Sequence, residues 1–480
     1  MTVASRNWTD FARRALFLSV PFTSVPWFPV GDATVKSLCF PLAVVLGASV
    51  ILSPTRQLRS HPSLSAGLVL LLVIWGPQLW QLLVRPEDFL VLTSLGVTAA
   101  ERFVRSSISL LVGATLYLGF RFAVSRPDWF REAKRLVVVA IAASSAWAVL
   151  QLMGDTILPA SGPVIRGLDA FLTIPANVMA RGHGFAYEAS WLASQQTLVA
   201  LPLLYQAVLF PSSHSLFPSR GLRIGKVRLH LDHVLMGVVI AGLLATYSRL
   251  GMVVLFATTA FLLFSVSRLQ GISRRGVVVA GLTVLSGTLW VALTTPYVKS
   301  MLTAVTGSST AVEFFSSIAA GPRLALWSGA WSTFLEHPLF GVGLGQFGFH
   351  FANHVPAWAV LESEVPRFLL SGEVPNPKNM ILRLLAETGV VGTLAFAYFV
   401  ATHFRYGSGT AGTQATLRLR PERGRLTPEF VLGVTMGIAL LGDFVSLDTF
   451  ALPQLWLCLA FLLADRSKYA AERAPAVLSA

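Results

Sequence analysis

An all-α integral membrane protein of about twelve transmembrane helices is the fold this sequence predicts, and three observations predict it. Hydrophobic residues make up 54% of the chain and charged residues only 12%, about half the charged share of a soluble domain. The apolar residues fall in blocks close to the ~20 residues that carry a helix across a bilayer. Basic residues gather in alternate loops between those blocks. A helix is the natural form of each block, because it satisfies its own backbone hydrogen bonds where water is absent.

The first block, Ala15–Val30, follows Arg6, Arg13 and Arg14 and has the outline of a secretory signal. No small-residue cleavage site follows it, and Pro21, Pro26 and Pro29 interrupt it, so it reads as an uncleaved, kinked first helix ending in a short re-entrant turn. The next blocks are Ala33–Leu52, Ala66–Val84, Ser106–Val124, Leu136–Met153, Tyr187–Phe210 and Leu231–Tyr247. Gly251–Val266, Gly276–Thr294, Met380–Phe404, Glu429–Ser446 and Phe450–Ala464 complete the series.

The formal charge of +14 is a topology signal rather than a nucleic-acid one. About 25 of the 37 basic residues lie at Arg6–Arg14, Arg56–Arg59, Arg121–Arg135, Arg220–Arg228, Arg268–Arg275, Arg405–Arg425 and Arg466–Arg473. About 11 are spread over the longer intervening loops. The basic loops therefore face the cytoplasm and anionic lipid, with both termini inside. On this reading, residues 1–295 form an N-terminal bundle of about nine helices and 296–379 a large extracytoplasmic loop. Residues 380–464 are C-terminal transmembrane helices and 465–480 a cytoplasmic tail. Cys39 and Cys458 lie in apolar spans at opposite ends of the chain and read as small buried residues.

Two extracytoplasmic segments, Gly154 to about Tyr187 and Pro296 to about Asn379, exceed what a connection needs. In the second, Arg323, Trp327, Trp331 and Phe334 recur at helical spacing behind Pro322, which suits a first helical turn. This helix is expected against the membrane surface, where indole rings favour the headgroup zone. The glycine-rich HPLFGVGLGQFGFHF follows. The cytoplasmic stretch Arg405–Pro428 reads as a flexible, basic, lipid-facing loop. No internal repeat is apparent.

Charge at a membrane boundary is costly and marks candidates for function. TYSRLG, Thr246–Gly251, places Arg249 at a polar hinge between two spans, as a phosphate-binding fork or as a snorkelling interfacial arginine. RGHGFAYEASW, Arg181–Trp191, brings Arg181, His183 and Glu188 to the head of the sixth span. Glu188 is a base, a hydrogen-bond partner for a sugar, or a helix N-terminal carboxylate stabilised by the dipole. PKNMILRLLAETGVVG, Pro377–Gly392, holds Lys378 and Asn379, and sets Arg383 and Glu387 four apart on one helix face, where a structural ion pair is the plainer alternative. Gly343, Gly345 and Gly348 mimic a dinucleotide-binding pattern but lack a strand–helix setting. His337, His350 and His354 share a loop without zinc-site spacing.

Together these segments, with PRLALWSGAWSTFLEHPLFGVGLGQFGFHF at Pro322–Phe351, resemble the O-antigen ligase/polymerase superfamily, and especially its Wzy-type exopolysaccharide polymerase branch. The resemblance runs from Arg181 onward; the N-terminal part is similar only in hydropathy. It implies a GT-C-like glycosyltransferase of the bacterial plasma membrane, active on the extracytoplasmic face. The implied substrate is an undecaprenyl-diphosphate-linked oligosaccharide, transferred to a hydroxyl with release of the carrier diphosphate. Arg181 and Arg249 then stabilise the diphosphate, with Arg323, Lys378 and Arg383 in support and Asn379 and Glu387 beside them. Glu188 is the first candidate base, with His183 and His354 behind it. No cofactor or metal is expected, and a chain-length regulator is a partner the family allows. Ligases of the superfamily commonly carry histidine where this chain has Lys378, which favours a polymerase over a lipid A–core or protein ligase. A flippase for lipid-linked oligosaccharide is the alternative outside enzymes; it would be expected to carry its charged groups deep in the bundle, with paired broken helices.

Overall fold

The computed structural model describes residues 3–27, 35–52, 62–91, 96–174, 181–218, 221–224, 227–269, 320–405 (save 361, 363 and 372) and 426–464, with isolated positions between 303 and 313. Along the chain run α1 (Val3–Leu18), α2 (Cys39–Leu52), α3 (Pro62–Val84), α4 (Ala99–Ala123), α5 (Pro127–Thr156), α6 (Gly162–Leu172) and α7 (Ala189–Leu209). Then follow α8 (Leu231–Ala245), α9 (Arg249–Leu269), α10 (Gly321–Glu336), α11 (Met380–Arg405), α12 (Pro428–Ser446) and α13 (Pro453–Ala464).

Local chemistry sets these boundaries. Thr98 accepts the Glu101 amide at 3.0 Å and starts α4, while Thr427 accepts from Phe430 at 3.3 Å and starts α12 ahead of Pro428. Pro127 and Asp128 open α5. Among the described residues seven helices, α3, α4, α5, α7, α9, α11 and α12, are long and apolar enough to cross a membrane. Shorter apolar helices coincide with α2, α8 and α13. The chain is a multi-pass membrane protein. Helix α7, interrupted by a π-turn over Gln196–Ala200, is buried along almost its whole length and packs against α5, α8 and α12.

The first predicted span is displaced. Its helix occupies Val3–Leu18 rather than Ala15–Val30, and Pro21 and Pro26 lie in the turn beyond it. The helix is amphipathic: Arg13 is buried over the Trp129 ring and pairs with Glu132, Arg14 pairs with the same carboxylate at 2.8 Å, and Trp8 and Phe11 are exposed. Proline lacks the amide a helix interior needs, so the apolar run beyond Leu18 turns back through a Ser24–Lys36 bridge instead of continuing. An antiparallel hairpin, β1 (Gly221–Ile224) with β2 (Val227–His230), interrupts the helical pattern before α8. The predicted span Gly276–Thr294, most of the stretch 296–319, the 406–425 loop and the 465–480 tail lie outside the described residues.

Helix α11 is broken. Gly389 adopts φ 63°, ψ −165°, and a Cβ there would lie 2.3 Å from the Leu339 carbonyl oxygen. The loop after α10 fills the break. Val390 N donates to Pro338 O at 2.8 Å, while Val342 N and Gly343 N donate to Ala386 O and Glu387 O at 2.9 and 2.8 Å. Backbone groups freed inside an apolar bundle are thereby satisfied. The same loop docks on α3 and α4: Leu344 N donates to Gln78 Oε1 at 2.8 Å, and Gln346 Nε2 to Ala99 O at 3.0 Å. The glycine-rich run is thus a structural plug.

Candidate active site

Three of the sequence motifs meet at one end of the bundle. Between α8 and α9 the chain turns through Tyr247, at φ 47°, with Ser248 N bonded to Thr246 Oγ1 at 3.1 Å and Gly251 N to Ser248 Oγ at 3.3 Å. This turn sets Arg249, exposed, as the first residue of α9. The RGHGF loop rests on it. Arg181 Nε donates to Thr246 O and Gly182 N to Ala245 O, both at 2.9 Å. One backbone contact therefore roots Arg181 and Arg249 together.

Arg323 enters from the first turn of α10. It is half-buried, and Nη1 donates to Ser446 O at 3.4 Å, at the end of α12. Burial and the neighbouring Arg249 charge pull its pKa below the usual guanidinium value, while Glu188, Asp448 and Glu364 act in the opposite sense. Arg323 thus stands in the fields of Arg249 and Glu188, which belong to different motifs. The buried side of α10 carries Gly321, Pro322, Ala325, Leu326, Gly329, Ala330 and Thr333, leaving Arg323, Trp327, Trp331 and Phe334 less buried on the other side. The predicted helix is present, and its buried side packs through Ala325, Leu326 and Ala330 against Phe347, Phe351 and Phe368.

Glu188 immediately precedes α7 in extended conformation and makes no side-chain cap; Ser190 Oγ donates to its Oε2 at 2.9 Å. Its charge also raises the pKa of Tyr187, second to burial, so that phenol stays protonated. Glu188 is partly exposed and faces the arginine cluster electrostatically.

His183 is placed differently. Its Nε2 lies 2.9 Å from Asp169 Oδ2 and its Nδ1 2.9 Å from Ala186 O, so both ring nitrogens point at acceptors. Gln151 and Trp147 hold the same Asp169 at 2.7 and 3.2 Å, and Gln151 Oε1 accepts the amides of His183 and Gly184 at 2.9 Å. Gly184 takes φ 62°, and a Cβ there would meet Ser144 Oγ at 2.3 Å. The RGHGF loop is therefore clamped on α5 and α6, and His183 is part of the clamp. His354 sits 3.3 Å from Glu336, the last residue of α10, about 20 Å along that helix from Arg323. The structure does not bring it to the cluster.

The PKN motif divides into two parts. Lys378, at φ 51°, donates its amide to Asp448 Oδ2 at 2.7 Å, and its ammonium pairs with Glu364. Asn379 Oδ1 accepts from Leu382 N at 3.0 Å and caps α11. Arg383 and Glu387 are fully buried and paired at 3.0 Å; Arg383 also donates to Asp448 O and, at 3.4 Å, to Ser106 Oγ. Among the described residues no group of three His, Cys, Asp or Glu side chains is arranged to hold a metal.

Residues 234–397, about a third of the chain, match the family model described as O-antigen ligase. Over that segment the chain is similar to O-antigen ligases. No curated protein matches the chain. The matched segment, a domain by its bounds, takes in Arg249, Arg323, Lys378, Asn379, Arg383, Glu387 and the plug loop, whereas Arg181, His183 and Glu188 precede it. Asp448, which follows the domain, and Glu364 within it escaped the sequence reading. Asp448 lies in a short polar break, Ser446–Thr449, between two apolar helices, the same signal that singled out Arg249.

Proposed function

We propose that the protein is a polymerase of undecaprenyl-diphosphate-linked oligosaccharide repeat units, working at the extracytoplasmic face of the bacterial inner membrane. The observation that carries the reading is the convergence of Arg181, Arg249 and Arg323 with Glu188 at one end of a membrane bundle, a segment of which matches the O-antigen ligase family model. The acceptor hydroxyl oxygen attacks the anomeric carbon of the donor sugar, and the bond from that carbon to the diphosphate breaks. Glu188 takes the hydroxyl proton, and the arginines neutralise the departing diphosphate; preformed donors aimed at a developing charge are an effective way to lower such a barrier. Lys378 is engaged with Glu364 and serves as a charge rather than as a base. On this reading the twelve-span topology puts both termini in the cytoplasm.

A ligase that moves a finished glycan to lipid A–core or protein is the second reading, favoured by the description of the matched family. Deletion of the gene separates the two. Single repeat units on the outer leaflet, without long polymer, are expected for the polymerase. Long polymer still on its carrier would establish the ligase, and repeats trapped on the cytoplasmic leaflet would replace both with a transporter.

A further inference from the structure

Helix α6 exposes an apolar face that no described part of the chain covers. Val164 is 66% exposed, Leu168 52% and Phe171 71%, at spacings of four and three along one side of the helix. Ile157, 68% exposed, extends the patch into the turn before α6. Such a surface is larger in apolar content than an aqueous loop ordinarily shows.

What covers it follows from α5. Between Glu132 and Gly154 the exposed positions on that span are Val139, Ala143, Ala146 and Leu150, a stripe at spacings of four, three and four with no polar member. Ile157 continues the stripe seven residues on, the distance of two helical turns. The 30 residues of α5 extend about 45 Å, more than the ~30 Å hydrocarbon core, so its end emerges near headgroup depth. The apolar face of α6 is therefore continuous with the lipid-facing surface of a membrane span. The opposite side of α6 carries buried Asp169, which binds His183 of the RGHGF loop.

We propose that α6 lies in the plane of the bilayer surface with Val164, Leu168 and Phe171 among the lipid chains, and that Asp169 ties the RGHGF loop to that surface. An amphipathic helix at the interface buries its apolar side to a depth of roughly 5–10 Å. The height of Arg181 above the bilayer is then set by the membrane itself and not by the bundle alone. A lipid-borne ligand would be met at a fixed depth.

Cys39 and Cys458 are both fully buried, so an introduced cysteine on α6 can be labelled selectively. The full chain carrying Leu168→Cys, Phe171→Cys or Arg166→Cys is labelled with an environment-sensitive fluorophore. It is then reconstituted in phosphatidylethanolamine–phosphatidylglycerol vesicles. Probes at 168 and 171 are expected to be quenched by brominated lipid and several-fold less by iodide than the probe at 166. Equal iodide quenching at all three positions overturns the proposal. Protection from both quenchers overturns it too, because another polypeptide would then cover the face. For the tether, Phe171→Asp is expected to speed hydrogen exchange across residues 181–187 while Ala170→Asp, at an exposed position off that face, leaves it unchanged; an unaltered rate in Phe171→Asp removes that part.

Discussion

Two groups of charge lie within a few turns of each other and are held in opposite ways. Arg383 is buried, its Nε on Glu387, its terminal nitrogens on Asp448 O and Ser106 Oγ, and its Cζ 5.7 Å from the centre of the Phe450 ring. Arg323, by contrast, is half-buried, forms no ion pair among the described residues, and has one long hydrogen bond to Ser446 O. Beside it Arg249 stands exposed. A buried cation whose three nitrogens each bond within its own fold is committed to that fold rather than to a ligand. A half-buried cation with a single long hydrogen bond, held in the field of a second cation, is placed for an anion that arrives later.

The largest expected effect tests the first half of this contrast. Arg383→Met leaves Glu387 as an uncompensated buried charge, a loss of roughly 3–5 kcal/mol. The expected outcome is a sharp fall in folded protein in the membrane, measured by thermal unfolding of the detergent-solubilised chain, with much of the stability recovered in Arg383→Met/Glu387→Met. A single variant that unfolds at the wild-type temperature yet makes no polymer would move Arg383 from scaffold to site. Next comes Arg249→Ala, which is expected to lower polymer formation by about 10²–10³-fold, the range for removing one donor to a developing anion, without changing membrane level or unfolding temperature. Normal polymer from it would take Arg249 out of the mechanism.

Glu188→Gln follows. The amide keeps an acceptor for Ser190 Oγ and retains the shape of the side chain, so the substitution removes the proton-accepting role and the charge alone. A fall of about 10²-fold in turnover is expected of a lost general base. A change of less than twofold would leave Glu188 a local partner of Ser190.

How much of this was legible depended on the range of the interactions. The spans follow from composition alone, and helices answer the predicted blocks from Ala33–Leu52 through Gly251–Val266 and from Met380 to Ala464. The displaced α1 shows the limit, because apolar content was weighed above Pro21 and Pro26. Arg181 and Arg249 stand out in the sequence as charges at membrane boundaries and Arg323 by helical spacing in the long loop, and the bond from Arg181 to Thr246 O is what joins the first two. The plug at Gly389 was out of reach, since it pairs backbone amides and carbonyls about fifty residues apart, and backbone pairing leaves little trace in side-chain identity beyond the glycines. The polar loop residue Asp448 was legible in principle and passed over.

The smallest effect concerns the histidines at the far end of α10. Burial, and then the charges of His337 and His354, pull the His350 pKa below its ordinary 6.5, with Glu336 acting the other way. The unfolded chain therefore holds more protons than the folded one in the window below that value. His350 contributes stability that is fully present above about pH 6.5 and is lost as pH falls through the lower folded-state value. Hydrogen exchange across residues 337–354, corrected for its intrinsic pH dependence, is expected to quicken on acidification from about pH 7.5 to pH 5. In His350→Asn that acceleration should be reduced. Coincident profiles for the two proteins would mean that His350 does not titrate there. Because Arg323 lies about 20 Å away along α10, the outer cluster should keep its affinity for the donor diphosphate over the same range. A parallel loss of affinity would show that the two ends of α10 are coupled, and the division between scaffold charge and site charge would then need to include the histidines.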